Sequence, residues 1–292
     1  MRLFYSPEYT GSAHAFETTR KAAWVAESLA TEPVGGVVMM EPEPLTVAAV
    51  REIHTPDYVE AVRSGEPLNL AQSQGFPWDP SLWPMVLSSN GGMVAAALAA
   101  LEDGVAGSLS SGLHHARRHR GHGYCTFNGL VLAAKAALRA GASSVLVLDL
   151  DAHCGGGTAR LIKEEPAISQ IDVSVCLYDA FEETDRCRSA MVGAAADYLP
   201  TIGRMLEQVP VSVDLCLYNA GMDPHECSAD GLRGITEAIL AERERLVFSW
   251  CRERGTPVAF SLAGGYLSRR LDRAGLVALH RLTIAEAVGG GA

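Results

Sequence analysis

A set of short, almost continuously apolar runs, each ending near Gly, Asp or Asn, constrains this chain more than any other feature. The clearest is 144–151, SVLVLDLD. Others are 2–5, 106–109, 172–178 (DVSVCLY), 214–221 (DLCLYNAG) and 257–263 (PVAFSLA). A strand with one wet face alternates apolar and polar residues. A run that is apolar throughout is buried on both faces, as in a parallel sheet. Helical stretches lie between the runs: the Ala- and Leu-rich 90–101, 129–140 (GLVLAAKAALRA), and 236–252 with charges at i,i+4 spacing. This alternation predicts an α/β protein, a three-layer α/β/α sandwich around a mostly parallel central sheet. A length of 292 residues suits one large unit, residues 1–292, with the Gly/Ala-rich tail after 287 frayed.

In such sheets, sites form beyond the carboxyl ends of the strands. The SVLVLDLD run continues into Ala152, His153, Cys154 and three glycines. Alternation along extended chain puts Asp149, Asp151 and His153 on one face. Two carboxylates and an imidazole converging there suit a divalent cation such as zinc. Alone, the same carboxylates could cap a following helix and His153 could be a core histidine. After DLCLYNAG comes Asp223, followed by Pro224, which alone reads as a turn. With Asp151 and His153 it makes three ligands and leaves a coordination position for water, the mark of a catalytic site. After PVAFSLA come Gly264, Gly265 and Tyr266, a turn that either lays a phenol over a cleft or packs an aromatic. Following the run that ends near Leu109 is GLHHA, whose adjacent His114 and His115 are candidates for proton transfer. His119 and His122, in the basic stretch RRHRGHG, are expected in solvent or at a rim.

The net charge of -10 gives no electrostatic reason to bind nucleic acid and slightly favours a cationic substrate. The seven cysteines form no C-x-x-C pair and are odd in number, so reduced core thiols and a cytoplasmic location are expected. The N-terminal residues lack a basic-then-apolar leader pattern, and Gly or charge interrupts the apolar runs before membrane-spanning length. No membrane association is expected.

Together, GLHHA, 123–128 (GYCTFN), DLDAHCGGGT, NAGMD and AGGY resemble, in order and approximate spacing, the histone deacetylase family, including the acetylpolyamine amidohydrolases. The likeness spans roughly 6–266. Before 110 it rests mainly on His54, Asp57 and Tyr58. It implies an arginase-deacetylase fold and one zinc ion, with iron or cobalt as alternatives, on Asp151, His153 and Asp223. It implies Asp149 as partner of His114, His115 as general acid and base, and Tyr266 as the group that polarises the amide carbonyl. Potassium beside the site is implied at Asp149, Asp151, His153 and Ser174. Tyr124 and Gly265 are expected in the substrate channel, with Phe127 behind Tyr124. The implied substrate is an N-acylated amine: an acetyl-lysine, an acetylpolyamine or a small metabolite.

Departures from the family pattern set further expectations. Cys154 stands where a second histidine is common, and Gly156 where the family has Asp or Asn contacting the second histidine of the pair. His115 is therefore expected to lack its orienting partner and to sit more loosely. DAFEETDRC, 179–187, replaces a PGTG-like channel segment. Asp79 lies nearest the region of the family's rim aspartate without aligning to it. The related arginases hold two manganese ions and need a carboxylate where Gly155 stands, so a single-metal site is expected. Two alternatives remain at this stage: a deacetylase-like binding protein with little catalysis, and a C–N hydrolase acting on another amide. The oligomeric state stays open.

Overall fold

In the computed structural model, which describes residues 1–209 and 212–289, eight strands form one sheet. They are β1 (Arg2–Phe4), β2 (Val38–Met40), β3 (Val105–Ser108), β4 (Val145–Asp149), β5 (Ile168–Ser174), β6 (Cys187–Met191), β7 (Leu215–Gly221) and β8 (Val258–Ala263). Their order is β2-β1-β3-β8-β7-β4-β5-β6, and every pairing is parallel. The helices are α1 (Glu17–Thr31), α2 (Val47–Arg51), α3 (Pro56–Ser64), α4 (Leu68–Ala71), α5 (Leu82–Asp103), α6 (Gly129–Arg139), α7 (Gly156–Leu161), α8 (Ala195–Glu207), α9 (Glu237–Arg254) and α10 (Arg273–Ala287).

The period-2 geometry of a strand explains why the central runs are apolar throughout. Along β4, Leu146 and Leu148 join the core under α1, α8, α9 and α10, while Val145 and Val147 join the core under α3, α5 and α6. Along β7, Cys216, Tyr218 and Ala220 face the first core, and Leu215 and Leu217 the second. Helices thus cover both faces, and the site is confined to the strand ends.

Two boundaries differ from the sequence reading. The strand expected at 172–178 runs Ile168–Ser174, because Val175 and Cys176 both turn to donate to the Ala152 carbonyl. The helix expected at 90–101 is the 22-residue α5. Its Ser88-Ser89-Asn90-Gly91-Gly92 segment looks like a loop but is buried; side chains at Gly91 and Gly92 would collide with Glu43 and Tyr9. This helix is long and apolar enough by composition to cross a membrane, contrary to expectation, yet 67% of its most apolar window is buried inside the protein, as in a core helix. Of the tail expected to fray, 290–292 lie outside the described residues.

Candidate metal centre and active site

The sequence motifs meet at the carboxyl ends of five neighbouring strands: β3, β8, β7, β4 and β5. Asp151, His153 and Asp223 are 4%, 7% and 0% exposed, and their ligand atoms lie within 4.8 Å of one another. His153 Nδ1 is 3.0 Å from Asp151 Oδ1 and 3.1 Å from Asp223 Oδ2. Backbone amides fix both carboxylates: Ala152 N donates to Asp223 Oδ1 and His153 N to Asp151 Oδ1, each at 3.0 Å. Asp223 Oδ2 is buried and makes no hydrogen bond of good geometry. A buried carboxylate oxygen whose near donor is poorly aligned is costly unless something cationic completes it. The His153 imidazole, whose burial would lower its pKa, is instead pushed up to about 12 by Asp151 and Asp223. Two carboxylates crowded on one imidazole make a surplus of negative charge that suits a divalent cation competing with that proton. The residues therefore fit a metal with oxygen and nitrogen ligands. Among the described residues this is the one such group found.

Two features bring Asp223 to this point. The β8 strand ends at Gly264, whose φ of +55° and position against the Asp223 carboxylate leave no room for a Cβ. Arg243, a fully buried residue of α9, donates to Gly221 O at 2.5 Å and Leu150 O at 3.3 Å, tying the ends of β7 and β4 together. Among the charges of α9, which the sequence shows only as i,i+4 relations, Arg243 and its neighbour Glu244 form a buried pair.

A polar chain crosses the sheet behind the histidine pair. Ser261 Oγ donates to Asn219 Oδ1 at 2.9 Å, Asn219 Nδ2 to Asp149 Oδ1 at 2.8 Å, and His114 Nδ1 to Asp149 Oδ2 at 2.7 Å. Burial alone would lower His114, but Asp149 and Asp151 raise it to about 10, so the ring is cationic at neutral pH. The His114 carbonyl accepts from Thr158 N at 2.9 Å and Asn128 Nδ2 at 3.2 Å, which fixes the pair against α6 and α7. His54 holds the next turn: its Nδ1 bonds Arg117 O and its Nε2 accepts from Asn128 N. The Tyr58 hydroxyl donates to Thr126 O.

His115 is not unpartnered, which corrects the expectation drawn from Gly156. Its Nδ1 lies 3.1 Å from Asp179 Oδ2. Burial and the charge of His114 lower His115 to about 3, against the pull of Asp179. The imidazole is a neutral acceptor. Three non-glycine residues have positive φ among those described, Leu113, Tyr124 and Asp179, and all three flank the site. Such backbone persists only where its surroundings hold it.

Tyr266 edges onto His153, with ring centroids 6.1 Å apart, and its backbone N donates to Ser228 Oγ. Burial and the charge of Asp223 hold its phenol well above the ordinary range, so it stays protonated. A cleft of about 580 Å³ leads to His115, His153 and Tyr266. Its walls are two stacked pairs, Phe16 on Tyr124 (4.9 Å) and His122 on Tyr178 (5.3 Å). Behind Tyr124 stands Phe76, at 5.1 Å; Phe127 packs instead on His54 and Tyr58. Gly264 rather than Gly265 lines the deeper pocket of about 70 Å³, and Gly265 packs against Leu276. His119 is exposed and His122 half-buried at the mouth.

Other placements carry no earlier signal. Asp230, the carboxylate on the cleft wall, lies 3.4 Å from His153 Nε2, whereas Asp79 bonds Ser12 and Ser81. Lys21, fully buried, donates to Thr18 O and Ser111 Oγ; burial lowers it to about 7, against the pull of Asp151 and Asp223. Ser174 donates to Asp172, a carboxyl that burial and Asp149 raise to about 8.

The histone deacetylase domain family matches residues 14–197, well over half the chain. That stretch includes His114, His115, Asp149, Asp151 and His153; Asp223 and Tyr266 follow it and join the site through β7 and β8. An uncharacterized protein of Picosynechococcus is 34% identical over 221 residues, 73% of this chain and 74% of its own. Histone deacetylase 2 of Arabidopsis thaliana is 31% identical over 186 residues, 61% of this chain but 48% of that protein. The crystal structure of an acetylpolyamine aminohydrolase from Burkholderia pseudomallei superposes with a TM-score of 0.82 over 99% of both chains at 18% identity, a likeness of fold.

Proposed function

The chain belongs to the histone deacetylase family, and from that premise we propose that it hydrolyses the amide of an N-acylated amine at a single divalent ion, zinc foremost, held by Asp151, His153 and Asp223. The observation that carries this reading is the buried Asp-His-Asp group, whose Asp223 Oδ2 has no well-aligned hydrogen bond, open on one side to a cleft that also holds His115 and Tyr266. When bound there, such an ion lowers the pKa of water and polarises a carbonyl.

The side chains divide the rest of the work. With Nδ1 engaged by Asp179, the neutral His115 ring offers Nε2 to take the proton of the attacking water. Tyr266, kept protonated, donates a hydrogen bond to the acyl oxygen as charge develops on it. As the C–N bond breaks, His115 returns its proton to the leaving nitrogen, so one amide and one water become one carboxylic acid and one amine. His114, held cationic by Asp149, adds positive charge beside the ring centroid of His115, 3.9 Å away. The aromatic walls of the cleft and the Asp230 carboxylate support an extended amine substrate carrying positive charge.

The whole chain acts in this reading as one catalytic unit, since the site draws on strands from both halves. The seven free thiols suit the reducing cytoplasm. A binding protein without catalysis loses its main support, because the partner thought missing at Gly156 is supplied by Asp179. The test is amine release from an acetyl-lysine peptide, an acetylated polyamine and a small acetylated amine, with the protein loaded with zinc. Release from at least one, abolished by chelator, is expected. No release from any of them would reject the assignment.

A further inference from the structure

Gly156 stands in the first turn of α7, and the space its side chain would need is occupied. A Cβ there would run into the Asp179 carbonyl and come within 2.8 Å of Asp179 Oδ1. We infer that Asp179 is the positioning residue of His115, and that Gly156 and Asp179 are two halves of one exchange. The carboxylate comes from the loop after β5 instead of from α7, and only a glycine at 156 lets that loop approach. The inference rests on the deacylase reading above and deepens it.

The two oxygens of Asp179 have separate partners. Oδ1 accepts from Arg117 Nη2 at 2.8 Å and Arg160 Nη1 at 3.0 Å; Oδ2 faces His115 Nδ1 at 3.1 Å. The side chain is fully buried. A carboxylate shared by two guanidiniums is fixed in both charge and orientation. That geometry leaves one oxygen to set the plane of the imidazole and the nitrogen that carries its proton. The loop is tied down on both sides. Cys154 N donates to Tyr178 O at 3.0 Å, and Arg160 Nη2 to Ala180 O at 3.3 Å. Asp179 itself takes φ +55°, a left-handed conformation that Asp tolerates better than most residues.

A competing account makes Asp179 only an anchor for Arg117 and Arg160, with the contact to His115 incidental. Three variants separate the two: Asp179→Ala, the isosteric Asp179→Asn, and Gly156→Ala, whose methyl group pushes on the Asp179 carbonyl. In the zinc-loaded protein, Asp179→Ala is expected to lower kcat by about 10- to 100-fold, the usual effect of removing a partner that orients a site residue. KM should stay within about twofold, with metal content and circular dichroism unchanged. Asp179→Asn keeps an acceptor oxygen and should lose less, and Gly156→Ala should lower kcat although it touches neither histidine.

The second readout is the imidazole spectrum of protein labelled with ¹⁵N-histidine. The His115 Nδ1–H signal should be present in the wild type and in Asp179→Asn and absent in Asp179→Ala. An anchor-only role would leave that signal in place, so its persistence in a folded Asp179→Ala variant overturns the inference. Wild-type kcat in metal-bound Asp179→Ala does the same, and wild-type kcat in Gly156→Ala overturns the exchange. If the wild type releases no amine from any acylated substrate, the deacylase reading fails separately, and the imidazole signal still decides whether Asp179 orients His115.

Discussion

At the scale of single residues, Tyr266 offers the sharpest separation of chemistry from structure. Its phenol is half-buried and stays protonated. Tyr266→Phe is expected to lower kcat by about 100- to 1,000-fold, as removal of one oxyanion donor does. Metal content and thermal stability should stay at the wild-type level, and unchanged kcat would make Tyr266 a packing residue. The residues gathered at the site were legible wherever a motif sat at the end of an apolar run: the histidine pair, Asp149 to His153, Asp223 and Tyr266. Asp179 was not. It lies in a loop with Glu182, Glu183 and Asp185, and nothing in that acidic stretch distinguishes it. Its meaning is spatial, because the side chain missing at Gly156 and the carboxylate that replaces it are 23 positions apart.

At the scale of elements, the turn between α2 and α3 buttresses the histidine loop through His54. Burial lowers its imidazole to about 4, against the pull of the Arg117 carbonyl, and the neutral ring donates to Arg117 O and accepts from Asn128 N. The unfolded chain takes up a proton near 6.5 and the folded chain only near 4. The stability this difference carries is therefore complete above about pH 6.5 and lost as pH falls through about 4. It amounts to about 3 kcal/mol. Urea unfolding between pH 7 and 4 should show the wild type losing that stability, and His54→Gln should flatten the loss. An equally steep profile in the variant would contradict the role. Strands buried on both faces were legible from their composition, whereas the edge strands β2 and β6 were not. Val38, Met39 and Met40 of β2 are all exposed, and an edge needs no apolar face to pair. In α9 the adjacent Arg243 and Glu244 resembled surface charges, because sequence does not tell a buried ion pair from a solvated one.

At the scale of the whole molecule, a parallel sheet covered on both faces leaves its strand ends as the place where the buried carboxylates and histidines of distant segments converge. Alternation of strand and helix made the three layers legible. The order β2-β1-β3-β8-β7-β4-β5-β6 was not, because neighbours in the sheet are not neighbours in the chain. That order sets β7 beside β4, and so brings Asp223 to Asp151 and His153 across about seventy residues of sequence. The account stands on the claim that these three residues hold one divalent ion on which turnover depends. Metal analysis of purified wild type and Asp223→Ala, each assayed for amine release from the acylated panel, tests it most directly. The account predicts one equivalent of metal and turnover in the wild type, and loss of both in a variant that remains folded. A full equivalent of metal in Asp223→Ala, or turnover in that variant at the wild-type rate, would contradict it.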